Sequence, residues 1–117
     1  MTPAPVKPLV KPEALDALDI RVGTIVRVED VPDATRLVRL TVDFGDHSRS
    51  IVAGMRMERA EPREIEGRQA LFVVNLEPKK IRGQISEGML FDVGSADGIT
   101  PVLAVPERQV PNGARAG

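Results

Sequence analysis

From Ile20 to Glu29 this chain alternates in steps of two. Ile20, Val22, Thr24, Val26 and Val28 interleave with Arg21, Gly23, Ile25, Arg27 and Glu29. That period belongs to a strand with one face in a core and the other in water, and a helix has no use for it. Gly23 interrupts the strand where a bulge or a tight bend is expected. After a loop at 31–35 the same period returns. Val38, Leu40, Val42 and Phe44 fall on one face, and Arg39, Thr41 and Asp43 on the other. A turn at 45–48 leads to a third strand over 49–53, which pairs with the second as a hairpin.

The rest of the chain continues the pattern of short strands. Residues 70–76 form a nearly continuous apolar run, which predicts a strand buried on both sides. Residues 89–93 give a fifth strand, and 100–105 an extra one after a turn at 94–98. Between strands three and four, residues 57–66 are charged and contain Pro62, which suits a short helix that Gly67 stops. Five short strands with one helix between the third and fourth describe an all-β, Greek-key barrel of the OB type. An SH3-like barrel shares this pattern. Residues 1–13, with Pro3, Pro5, Pro8 and Pro12, read as a flexible tail leaning to polyproline II. Residues 14–117 form one domain. Residues 13–18, where the tail meets the domain, allow a single helical turn with Leu15 and Leu18 facing inward.

Composition narrows the function. The chain of 117 residues has no cysteine and one histidine, His47. Thiolate chemistry, cysteine-based zinc sites and a histidine metal cluster are thereby excluded. No stretch approaches a membrane span or an export signal, so a cytoplasmic protein is expected. No phosphate loop, nucleophile elbow or HExxH motif occurs, and no cofactor is implied. The chain reads as a binding module, not an enzyme. Its formal charge is −1, so any affinity for a polyanion must come from local clustering. Three Phe and no Tyr or Trp leave little for stacking successive bases.

The densest basic cluster is Lys79, Lys80 and Arg82, bracketed by Pro78 and Gly83 in what reads as a loop between strands four and five. Such loops are a common ligand-binding edge of OB folds. Lysine offers a phosphate a point charge, and arginine a fork. Ser86 adds a hydroxyl and Met89 a polarisable apolar surface. Asn75, ending the apolar run, needs partners for its amide. It either ties down the following loop or meets a base. Arg36 and Arg39 flank the start of the second strand, and with Arg21 or Arg27 they could track a backbone. A solvated turn and a solubilising strand face have the same composition.

Several stretches, taken together, resemble one family. Leu18-Asp19-Ile20-Arg21-Val22-Gly23, then Pro32-Asp33-Ala34-Thr35-Arg36-Leu37, then Ile51-Val52-Ala53-Gly54-Met55 are similar to successive motifs of the tRNA-binding domain family. So are Asn75-Leu76-Glu77-Pro78-Lys79-Lys80-Ile81-Arg82-Gly83 with Ser86-Glu87-Gly88-Met89-Leu90, and the closing Val105-Pro106 and Val110-Pro111-Asn112-Gly113. The family includes free-standing structure-specific tRNA-binding proteins, C-terminal extensions of methionyl-tRNA synthetases, and CsaA-type proteins associated with chaperone activity. The resemblance covers roughly residues 15–115. It implies an OB core, a homodimer built on terminal segments and extra strands, and binding to tRNA by shape and backbone. It assigns RNA contacts to Asn75, Lys80, Arg82, Ser86 and Met89, more weakly to Arg36, and Lys79 joins them from the basic cluster. Two departures stand out. Thr35 replaces an acidic residue, and Glu77 a residue often basic. Lys79 is similar to the CsaA type, whereas Arg82 and Ser86–Met89 are similar to the synthetase type. Unfolded polypeptide and an aminoacyl-tRNA synthetase are therefore further expected partners.

Overall fold

The computed structural model describes residues 2–117. Its elements run α1 (Glu13–Asp16), β1 (Ile20–Asp30), β2 (Val38–Asp43), β3 (Ser48–Ala53), a 3₁₀ turn (Pro62–Ile65), β4 (Gln69–Val73), β5 (Lys79–Ile81), β6 (Gln84–Ser86), β7 (Met89–Leu90), β8 (Asp92–Val93), a second 3₁₀ turn (Ser95–Asp97), β9 (Val102–Leu103) and β10 (Arg115–Ala116). The main sheet is antiparallel, in the order β3-β2-β1-β4-β7, with β10 also pairing β1. It curls into a half-barrel, the OB-like, almost helix-free architecture that the strand pattern predicts. The short helix expected between strands three and four is the turn at Pro62–Ile65.

The inner face of β2 is as the alternation requires, with Val38, Leu40, Val42 and Phe44 all buried. The β1 face is not. Ile25 is buried and Val26 exposed. The register against β2 passes from Ile25↔Val42 to Arg27↔Thr41, so Val26 is the extra residue of a bulge, and every side chain beyond it changes phase. The bulge is fastened from outside. Gly67 N–H donates to the Ile25 carbonyl at 2.7 Å, and a Glu66 carboxylate oxygen accepts from Val28 N–H at 2.8 Å. Gly23 serves a different purpose. A Cβ there would lie 2.5 Å from Val42 Cγ1 and 2.8 Å from Phe44 Cε1, so its absence lets β2 side chains cross β1. Phe44 in turn meets Phe72 edge to face at 5.5 Å between centroids, a favoured geometry for buried rings.

Other boundaries differ from the sequence expectation. The fourth strand ends at Val73, with Leu71 half-buried and Leu76 exposed. The apolar run is too short a window to tell a strand buried on both sides from one that leaves the sheet. Residues 89–93 do not form one strand. Phe91 separates β7, in the main sheet, from β8, which pairs β9 in a two-stranded ribbon. The extra strand expected over 100–105 contracts to Val102–Leu103. α1 buries no residue, so Leu15 and Leu18 are exposed instead of facing the core. No helix among the described residues is long and apolar enough to cross a membrane.

Candidate nucleic-acid interface

The basic cluster does not lie in a loop. Lys79–Ile81 and Gln84–Ser86 pair antiparallel, with Ile81 opposite Gln84 and Lys80 opposite Ile85. The two-residue turn between them has φ = 50° at Arg82 and 80° at Gly83. Two successive positive φ values define the type I′ geometry, whose twist matches a hairpin. Glycine occupies the second position at no steric cost, whereas arginine tolerates the first under mild strain. Lys80 and Ile85 are exposed opposite neighbours, while Gln84 is half-buried and Ser86 buried. The hairpin thus turns Lys80 and Ile85 outward and holds Arg82 at its tip, while Lys79, opposite buried Ser86, is itself exposed.

The seat is built by side chains. Ser86 Oγ accepts from Val52 N–H and donates to the Gly88 carbonyl, both at 3.0 Å. A Glu87 carboxylate oxygen accepts from Ser50 N–H at 2.9 Å, and Glu87 N–H donates to the Ser50 carbonyl at 2.8 Å. Arg49, on β3, donates from Nη1 to the carbonyls of Val74 and Glu87, so one guanidinium ties the entry and exit of the hairpin. Gly88 permits close packing, since a Cβ there would lie 2.9 Å from the Val73 carbonyl oxygen. Arg49 and Glu87 carry this frame, and the sequence pattern points to neither. Glu87 lies inside the Ser86–Leu90 motif without a role of its own there, and Arg49 looks like one more strand charge.

Asn75 is exposed, yet its amide is committed. Oδ1 accepts from Asp19 N–H and Nδ2 donates to the Ala17 carbonyl, both at 2.8 Å. It ties the end of β4 to the α1–β1 junction, the structural alternative for this residue. Met89 is 46% exposed and begins β7, directly after the hairpin. Arg36 stands on the separate β1–β2 loop, its carbonyl accepting from Arg56 N–H at 3.1 Å. The structure therefore gathers Lys79, Lys80, Arg82 and Ser86 on one hairpin, with Met89 following it at the start of β7 in the main sheet, and places Asn75 and Arg36 elsewhere.

Some of the other basic residues are engaged by carboxylates. Arg21 grips Asp19 with two hydrogen bonds, at 2.9 and 3.1 Å, and holds that carboxyl below the usual aspartate value. Arg39 pairs with Glu29 at 2.8 Å and lowers its carboxyl likewise. Arg56 meets Asp30, and Arg59 meets Glu64. Of the strand arginines, Arg21 and Arg39 are thus paired, whereas Arg27, Arg49 and Arg115 enter no ion pair among the described residues. Among the described residues, Lys79, Lys80 and Arg82 enter no ion pair. No metal-binding group of His, Asp and Glu occurs among those residues either.

A half-barrel bearing a seated cationic hairpin is a nucleic-acid-binding module of OB type. Residues 20–115 match the family described as "Putative tRNA binding domain", and the chain belongs to that family. A methionine–tRNA ligase of Thermococcus kodakarensis is 44% identical over 98 residues, 84% of this chain and 13% of that protein. One from Bacteroides fragilis is 40% identical over 96 residues, 82% of this chain and 14% of that protein. The chain thus spans about one seventh of these curated relatives. Among solved structures, a MetRS-related protein from Pyrococcus horikoshii superposes with a TM-score of 0.87 at 35% identity, over 95% of this chain and 100% of the other. The chaperone CsaA from Bacillus anthracis does so with a TM-score of 0.80 at 30% identity, over 94% and 100%.

Proposed function

We propose that this chain is a non-catalytic, cytoplasmic tRNA-binding protein that acts as a homodimer and grips the RNA backbone with the β5–β6 hairpin. The observation that carries this reading is the clustering of three exposed cations without an ion pair, Lys79, Lys80 and Arg82, on one short seated hairpin. Lys79 and Lys80 supply point charges to phosphates and Arg82 a bidentate fork. Met89 offers an apolar surface to a base or sugar. Asn75 and Ser86 hold the frame, and Arg36 adds a weaker contact from its own loop. Phe44 and Phe72 are buried and Phe91 alone of the three Phe is exposed, so recognition rests on shape and backbone, one ring being too little for a stacking platform. A protein of net charge −1 gains affinity by presenting two hairpins to one RNA.

The test is a titration with total tRNA across a salt series. Log affinity is expected to fall linearly with log salt, and Lys80→Ala with Arg82→Ala to weaken binding and flatten that line. Binding that is absent, or insensitive to salt and to both substitutions, would remove the reading. A second reading is polypeptide binding of the CsaA type. It is favoured by the exposed apolar side chains of the β8–β9 ribbon, where Val93 faces Val102. It predicts suppressed aggregation of an unfolding client at stoichiometric amounts, and an unprotected client counts against it. Docking onto an aminoacyl-tRNA synthetase would show as co-purification.

A further inference from the structure

His47 is the one histidine of the chain, and the turn from β2 to β3 folds it back onto Phe44. Phe44 N–H donates to the His47 carbonyl at 2.9 Å. The imidazole stacks on the Phe44 ring, with 5.6 Å between centroids and 26° between planes. Phe44 is buried, so it fixes where the imidazole stands. Both ring nitrogens are then engaged. Nδ1 lies 2.6 Å from an Asp46 carboxylate oxygen, and Arg49 Nε donates to Nε2 at 2.9 Å.

These two contacts assign the proton. An arginine Nε–H only donates, so Nε2 must accept, and the single proton of a neutral imidazole sits on Nδ1, facing Asp46. The same Arg49 reaches the Val74 and Glu87 carbonyls with Nη1, at the two ends of the β5–β6 hairpin. Asp46, His47, Arg49 and the hairpin ends thus form one chain of hydrogen bonds. Other charged groups surround it. Arg21 faces Asp46 from β1, and Asp19 faces Arg49 but is held by Arg21. Asp43 accepts from Gly45 N–H, and the Glu87 carboxylate from Ser50 N–H.

We propose that His47 positions the hairpin through Arg49, and that a proton added at Nε2 releases it. A charged imidazole carries hydrogen on both nitrogens. Nε2 then turns from acceptor to donor and opposes Arg49 Nε–H, one cation against another at hydrogen-bond distance. Arg49 withdraws, and the Nη1 bonds to Val74 and Glu87 go with it. Histidine ordinarily changes charge between about pH 5 and 8, so mild acid loosens the hairpin that neutral pH holds. The expected sign opposes that of charge alone, since a further cation otherwise strengthens attraction to a polyanion. This deepens the tRNA-binding reading, and its effect on RNA rests on that reading.

The test compares wild type with His47→Gln, whose amide oxygen can still accept from Arg49 but takes up no proton. The position is exposed on a turn, so the fold is not at risk. Without RNA, the amide NMR signals of Glu87 and Gly83 are followed from about pH 7.5 to about pH 5.5, where carboxylates ordinarily stay ionised. In wild type they are expected to move in step with the His47 ring signals, and in His47→Gln to stay in place. Signals that ignore the ring would overturn the proposal whether or not RNA binds. With total tRNA at the same two pH values, wild type is expected to lose about fivefold in affinity relative to His47→Gln, the low end of ordinary coupling between sites. Equal pH profiles for the two proteins would overturn the release of the RNA-binding hairpin. Coupled NMR signals in a chain that binds no tRNA at either pH would remove the functional reading and leave the hold of His47 on the hairpin standing.

Discussion

At the tip of the hairpin, Arg82 holds φ = 50°, a conformation that asparagine adopts more readily than arginine. Asn-Gly is also the preferred pair for a type I′ turn. Arg82→Asn should therefore leave the hairpin at least as stable while removing one phosphate partner. The expected result is weaker tRNA binding, with the salt slope reduced by about 0.7 to 0.9 for each phosphate no longer neutralised, and an unchanged melting temperature. An affinity equal to wild type would show that the guanidinium does not touch RNA. Glu58 poses the opposite problem. Burial first, and then the charge of Asp92, hold its carboxyl above the usual glutamate value. A raised folded value means that its contribution is present at low pH and is lost as pH rises through that value. Glu58→Gln should accordingly raise the melting temperature slightly at pH 7 and leave it unchanged near pH 3. A gain of equal size at both pH values would assign the effect to something other than ionisation.

At the scale of elements, the hairpin is held by a few polar groups, and Ser86 is the most exacting of them. Ser86→Ala strands the buried Val52 N–H, at a cost of about 1–3 kcal/mol. For a domain of this size that amounts to a melting temperature lower by roughly 4–12 °C. Its effect on RNA should appear in affinity, with the salt slope retained because every cation remains. A flattened slope would mean that Ser86 acts on phosphate directly. The same elements show why the sequence is legible only in part. The faces of β2 can be read because Val38 to Phe44 pack against one core at an unbroken period. The phase of β1 cannot, because a bulge depends on what crosses the strand, here Gly67 and Glu66 from a distant segment. The cationic cluster is legible as composition. Its hairpin geometry is concealed by an arginine where a turn usually shows asparagine or glycine. Arg49 and Glu87 stay hidden because their roles consist of hydrogen bonds to residues 25 to 38 positions away.

For the whole molecule, ion pairs that lie away from the hairpin link stability to pH. The Arg21 hydrogen bond lowers Asp19, Arg39 lowers Glu29, and His47 lowers Asp46. Each of these carboxylates favours the folded state only while ionised. A depressed folded value means that the contribution is complete above the unfolded values, about 3.9 for Asp and 4.3 for Glu, and disappears as pH falls through the folded values. The melting temperature should therefore hold from pH 7 to about 5 and decline below about 4, opposed only by the small gain from Glu58. The pairs are exposed, so salt should blunt the decline by screening the attraction. Arg21→Ala and Arg39→Ala return Asp19 and Glu29 towards their ordinary values, which should shrink the difference between melting temperatures at pH 6 and pH 3. The hairpin cations have no carboxylate partner to lose. Replacing Lys79 and Lys80 with Ala should thus leave the acid limb where it is while weakening tRNA binding. A shift of the acid limb in that variant would mean that the hairpin lysines are engaged within the protein, and would count against their availability to RNA.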